Sequence, residues 1–258
     1  MTHRIVTAML ATGALVAITA QQKPAHPDFS GIWEFAVATS GGGVKQVVQG
    51  KVLGGTPDAS ARNPAKGGVP GALLSTPAPS FKSEVAAKVK DTEANQSRTD
   101  GTFYCGKPGV PRLGPPRKIV QSPTELVFLY EDMSGDQYRI VPINGKHNPD
   151  ADPSFNGDSI ARWEGDTLVV EAVNFVPDTW FGENGYIHSD AMKVTERFWK
   201  QGENMAYQVI VDDPKVLMAP WVMAPRIIRP STEPLIESAL CVEDDAKRLT
   251  NKDHHLQR

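Results

Sequence analysis

Glu196 is the residue through which this chain most directly suggests chemistry. It lies in Met192–Lys200, where alternation puts Met192, Val194, Glu196 and Phe198 on one face and Lys193, Thr195, Arg197 and Trp199 on the other. If the apolar face turns inward, a carboxylate goes with it. A buried acid must be paired, hydrogen-bonded or protonated. Arg139 and Arg162, on neighbouring β-rich runs, are the candidate partners. Such a pair can act as an acid/base group or anchor a ligand, and it can equally be a purely structural ion pair.

Two long loops hold the other reactive side chains. Residues 144–158 carry His147, Asp150, Asp152 and Asp158, and residues 176–190 carry Asp178, Trp180, Tyr186 and His188. Both join one hairpin to the next, so a meander is expected to bring them out at one end, around the mouth of a pocket. His147 and His188 then read as a catalytic acid/base pair, as metal ligands, or as loop residues with local hydrogen bonds. They lie 41 residues apart with no His-x-His spacing, and no metal is assigned. Asp150-x-Asp152 opens like a calcium loop but lacks the later Gly and Glu. No nucleophile elbow, phosphate loop, dinucleotide fingerprint or His-Glu-x-x-His occurs, and no cofactor is implied. Tyr138, Trp163 and Trp180, together with Arg139, are the candidate ligand-binding residues, although sheet packing alone also explains the aromatics.

The elements that must position these groups are strands. Residues 28–36 read as a first strand, followed by Lys118–Gln121, Glu125–Glu131 and Tyr138–Ile143. A hairpin joins Ser159–Glu164 to Thr167–Glu171 through Gly165-Asp166, a pair suited to a type II′ turn. Another joins Met192–Lys200 to Met205–Val211. Successive hairpins predict a mainly β fold, an antiparallel meander closing into a lipocalin-like barrel or curved sheet. One short amphipathic helix is expected over 81–96, capped by Ser80, with Phe81, Val85 and Val89 on its apolar stripe. Residues 39–79 are rich in Gly and Pro and read as a long loop. After Asp213-Pro214 the chain reads as irregular, ending in a charged tail at 244–258.

The run Trp163-Glu-Gly-Asp-Thr-Leu-Val-Val170 resembles the signature of a large family of exported bacterial proteins. Asp28–Trp33, Cys105–Arg112, Tyr138-Arg139-Ile140, Phe155–Ser159, Glu196-Arg197, Asp213-Pro214 and Pro220-Trp221 match in the same order, spanning most of the chain. Where the family pattern carries Gly-Arg, this chain has Gly145-Lys146, which weakens a guanidinium role there. The resemblance implies export and a β-rich domain; it carries no catalytic assignment.

Composition agrees with a folded, exported chain. At 258 residues and 40% hydrophobic, it can fill a single core behind a leader, so the expected organisation is a signal peptide at 1–20 and one β-rich domain at 21–258. His3 and Arg4 precede an apolar stretch, Ile5–Ala20, shorter than a membrane span and with the charge order of a signal peptide, so no stable membrane insertion is expected after cleavage; an uncleaved anchor is the rival reading. Net charge is −3 without a Lys/Arg stripe, which argues against a nucleic-acid partner. In an oxidising compartment Cys105 and Cys241 are the one available intramolecular disulfide, with a reactive thiol as the rival reading. The expected function is binding of a small apolar or aromatic molecule. The alternatives are a cofactor-free lyase, isomerase or hydrolase of the same shape, and an exported interaction module.

Overall fold

The structure, a computed structural model, describes residues 26–35, 45–48, 51–54, 76–132, 135, 137–238 and 241–242. The expected leader, most of the 39–79 segment and the charged tail lie outside these residues. The strands are β1 (Gly31–Phe35), β2 (Lys45–Val48), β3 (Lys51–Gly54), β4 (Lys118–Gln121), β5 (Glu125–Tyr130), β6 (Gln137–Pro142), β7 (Asp158–Glu164), β8 (Thr167–Val173), β9 (Lys193–Gln201), β10 (Asn204–Asp212), β11 (Trp221–Val222) and β12 (Arg226–Ser231). All but β2 and β3, which pair with each other, belong to one 10-stranded sheet. Its order is β6-β5-β4-β1-β12-β10-β9-β8-β7, with β11 beside β10.

Every pairing between these strands is antiparallel, and the sheet curls until its two ends meet. Ile143, just past β6, forms a parallel bridge with Ala161 of β7, and the Asn144 N–H donates to the Ala161 carbonyl at 2.7 Å. The result is a nearly closed barrel with a seam between β6 and β7. Because β6 and β7 run the same way there, the 143–157 connection leaves from one end of the barrel and returns at the other. The expectation that both long loops rise from one end is therefore corrected.

Turn chemistry sets the hairpins. Glu164 pairs with Thr167 across Gly165-Asp166, and Gly165 alone of the two has positive φ, at 62°, which is the type II′ pattern. Gly202-Glu203 repeats it between β9 and β10, with Gly202 at 63°.

Two expectations about local structure change. The first concerns the irregular reading after Asp213: Arg226–Ser231 forms β12 and fills the gap between β1 and β10. Pro230 lies within it and has no N–H to give a ladder. Pairing with β10 already stops at Ile228, so that ladder loses nothing at Pro230. The second concerns the helix, which spans Ser83–Ala94 (α1), with Lys82 at the N-cap and no side-chain cap bond. Phe81 is held extended by a bridge to Leu217, and the Ser80 carbonyl accepts from Met218 N at 2.8 Å, so neither can begin a helix. The predicted stripe still docks: Val89 is buried, and Phe81 and Val85 pack against the core.

The barrel axis is filled with side chains. The inward registers stack Ala161, Val170, Glu196 and Val209 above Leu168, Phe198 and Tyr207. Trp33, Ile119, Leu126, Phe128 and Val141 face them from the other half. Phe29 plugs the end that carries the Gly165 and Gly202 turns, its ring 6.0 Å from Trp163 and 6.4 Å from Phe198. Its backbone is clamped: its N–H donates to Gln121 Oε1 at 3.0 Å, and its carbonyl accepts from Trp33 Nε1 at 2.9 Å. Cys105 and Cys241 are joined, Sγ to Sγ 2.05 Å, as the expected pair. Among the described residues no helix is long and apolar enough to cross a membrane.

Candidate functional site

Glu196 is buried completely, at 0% exposure, on the inward face of β9. Its neighbours there, Val170 and Val209, are apolar, so its partners must come from elsewhere. Tyr207 of β10 donates its hydroxyl to Oε1 at 2.9 Å. Arg139 reaches in from β6 and places Nη2 2.6 Å from Oε2. Arg162, the other candidate, faces outward and pairs with Glu164 at 2.8 Å. The remaining Arg139 donors are also used: Nε and Nη2 meet the Tyr130 hydroxyl at 3.0 and 2.7 Å, and Nη1 meets Ser159 Oγ at 3.3 Å. The guanidinium also lies over the rings of Phe128 and Tyr130.

Electrostatics fix the protonation of this network. Burial pushes both phenols up, and the nearby Glu196 adds to the rise, while Arg139 pulls against it. Burial opposes the charge on Arg139, but Glu196 together with Tyr130 and Tyr207 outweighs it and raises the guanidinium above its ordinary value. Arg139 therefore stays a cation and both tyrosines stay neutral, Tyr130 accepting from Arg139 and Tyr207 donating to Glu196. Such a network holds a side chain in place; it offers no free base to a substrate.

Open space lies beside the network. A cleft of about 420 Å³ runs along the seam between β6 and residues 154–159. It exists because β6 pairs with β5 on one side and, after Pro142, meets β7 only through the Ile143 bridge. Arg139, Ser159, Gln137 and Asn156 supply its polar groups, and exposed Tyr138, Ile140 and Phe155 line its mouth. Lys107 and Asp158 also line it. Gly157 lets the 154–157 turn press against β8: with φ at +67°, a Cβ there would come within 2.6 Å of the Val173 carbonyl. Gln137 is buried, and its Oε1 faces Asn156 Nδ2 at 3.5 Å, while Gln137 Nε2 and Asn156 Oδ1 have no partner.

The two histidines have separate surroundings. His147 lies on the outer wall of β7 and β8, with Nδ1 2.9 Å from Asp158 Oδ2 and Nε2 3.5 Å from Glu171 Oε1. His188 is folded into its own loop, with Nε2 2.7 Å from Thr179 Oγ1 and Nδ1 2.8 Å from the Ser189 carbonyl. The two sets of partners share no residue. Among the described residues no group of three His, Cys, Asp or Glu is placed to hold a metal ion.

Burial lowers the His188 pKa, outweighing the Ser189 carbonyl and the charges of Asp213 and Asp178. The unfolded chain then takes up a proton below about pH 6.5 while the folded chain resists it. Stability is expected to be full above that pH and to fall on acidification, with a slope of at most about 1.4 kcal/mol per pH unit from this group. Urea midpoints of His188→Gln should change less than wild type between neutral and mildly acidic buffer. Equal pH slopes in the two proteins would remove His188 as the cause.

Of the four expected ligand-binding residues, Arg139 and Tyr138 line the cleft and the two tryptophans lie elsewhere. Trp163 is at the plugged end, stacked on His26 at 4.4 Å. Trp180 is buried in the 176–190 loop, with Arg112 over its ring. A second recess of about 360 Å³ lies near Arg112, Phe181, Tyr186 and Trp221. Arg112 is already committed there, to Asp100 at 2.6 Å and Glu183 at 3.1 Å.

Several residues of the site escaped the sequence reading. Tyr130 and Tyr207 share the inward parity of Phe128 and Val209, and extending β6 by one residue would have put Gln137 beside Arg139. Asn156 belongs to a loop without periodicity and left no such signal. No family model matches the chain, and no curated protein matches it.

Proposed function

We propose that this is an exported barrel that binds a small molecule with an aromatic or apolar body in the cleft between β6 and residues 154–159. The composition of the cleft carries that reading: Tyr138, Ile140 and Phe155 form an apolar mouth above hydrogen-bonding groups of Arg139, Ser159, Gln137 and Asn156. Small-molecule sites divide their lining in this way, and about 420 Å³ falls within their usual size. The Arg139–Glu196 network underlies the cleft as a fixed foundation, so little ordering is left for the ligand to do. The Cys105–Cys241 bond supports an oxidising compartment, as do the leader-like start and the resemblance around Trp163–Val170 to exported proteins. The acid/base alternative depends on His147 and His188, whose separate partners give it no common point.

Native mass spectrometry of the protein purified from a bacterial periplasm tests this reading. Extra mass that survives a chelator is expected. Tyr138→Ala combined with Ile140→Ala should lose it without unfolding, because both side chains are more than half exposed. Absence of added mass, together with unmoved amide resonances at 137–140 and 154–159 on adding naphthalene-sized probes, would overturn the proposal.

A further inference from the structure

Beside the cleft, β6 keeps one strand edge unused. Ile143 donates its N–H to the Thr124 carbonyl at 2.8 Å, and the register with β5 runs from Glu125 opposite Pro142 to Tyr130 opposite Gln137. Bonds to β5 therefore fall at 143, 141, 139 and 137, and the N–H and C=O groups of Tyr138 and Ile140 point the other way, toward the seam. Among the described residues the Ile143–Ala161 bridge is the only pairing across that seam. Continuing it would next take an N–H from Pro142, which has none. Across the cleft, the 154–157 turn is engaged elsewhere. The Gly157 N–H goes to the Ser154 carbonyl at 3.3 Å, and the Phe155 carbonyl accepts from Val110.

Resting on the binding function proposed above, we infer that the ligand of the cleft is a short extended peptide, apolar at alternate positions and carrying a carboxylate, which pairs with β6 as an added strand. Laid antiparallel, it exchanges two hydrogen bonds with Ile140 and two with Tyr138. Its residues opposite them extend two apolar rows of the outer sheet face, Val120–Val127–Ile140 and Leu129–Tyr138. Val120, Tyr138 and Ile140 are exposed there. The carboxylate answers the charge of the cleft. Arg139 is paired with Glu196, and Asp158 is engaged by His147 and by the Asn148 N–H at 2.8 Å. Exposed Lys107 lines the cleft and forms no ion pair among the described residues. A second barrel cannot bring its own edge here, because residues 154–159 stand across the cleft, which admits a lone segment only.

The probe is acetyl-Val-Ser-Val-Glu-amide, titrated by calorimetry into the full protein, with amide resonances and hydrogen exchange followed in parallel. In the free protein the Tyr138 and Ile140 amides should exchange at least about tenfold faster than those of Arg139 and Val141, which are bonded to β5, and the peptide should slow them. Methylating both valine nitrogens of the peptide should weaken binding at least about tenfold, while methylating the serine and glutamate nitrogens should change it less than about threefold. Lys107→Gln should weaken the peptide about threefold and leave the affinity of its glutamine analogue unchanged. Tyr138 and Ile140 amides as protected as their neighbours in the free protein would show that the chain or a second copy already covers the edge, and would overturn the inference. Equal binding of the two methylated peptides would do the same. Shifts at 137–140 and 154–159 with naphthalene-sized probes but not with the peptide would overturn it and leave the binding function standing. No shift with either would overturn both.

Discussion

Arg139→Met is expected to destabilise the folded protein by about 3–5 kcal/mol, because it leaves Glu196 buried without its cation. The arginines nearest by strand position, Arg197 and Arg162, are both paired with Glu164, and the Tyr207 hydroxyl already serves the other carboxylate oxygen. Arg139→Met with Glu196→Leu should recover most of the loss. The pair's desolvation cost then disappears along with its attraction, and apolar side chains suit the surrounding Val170, Val209 and Phe128. Recovery should stop within about 2 kcal/mol of wild type, since the Tyr130, Tyr207 and Ser159 hydroxyls lose partners worth about 1 kcal/mol each. Urea midpoints of the two single variants and the double variant complete the cycle. A double variant as unstable as Arg139→Met would show that the network matters through its hydroxyls and not through its charges.

Removing the disulfide is the second large effect. Cys105 and Cys241 are separated by 136 residues, and closing a loop of that size restricts the unfolded chain by about 4–5 kcal/mol in the chain-entropy treatment. Cys105→Ser with Cys241→Ser should therefore lower the thermal midpoint by about 10–20 °C. The loss should also reach the cleft. Cys105 has a left-handed backbone, φ 62°, at the end of the Gly101–Tyr104 turn, two residues before Lys107. The chain then runs to Val110, whose N–H donates to the Phe155 carbonyl at 3.3 Å. Probe affinity in the serine variant should fall along with stability. A midpoint within about 2 °C of wild type would show that the bond does little to the unfolded ensemble.

The β half of the chain was legible where strands alternate cleanly. Lys118–Gln121 and the two Gly-turn hairpins appear within a residue or two of their expected bounds, because alternation and turn type together fix register. The inward Glu196 followed from the same alternation, which left Arg139 and Arg162 both open as its partner until the structure chose Arg139. Three features were not legible. β12 contains Pro230 and two arginines, and its place between β1 and β10 depends on strands far away in sequence. The path of the 143–157 loop depends on β6 and β7 being parallel, which no local pattern encodes. The Gln137–Asn156 contact joins a strand to an aperiodic turn, so it exists only once the seam has formed.

The position of β12 also governs when the ring can close. Four register pairs tie β1 to β12, Ile32 opposite Ser231 among them, whereas only two tie β1 to β4. The first strand of the sheet therefore waits for the last. A chain delivered from its N-terminus has nothing to complete β1 until Ser231 emerges, and contacts so far apart in sequence are the slowest to form. Cooperative closure of the ring is thereby postponed to the end of synthesis. A truncation ending before Arg226 should never attain the native ring, however favourable its hairpins are.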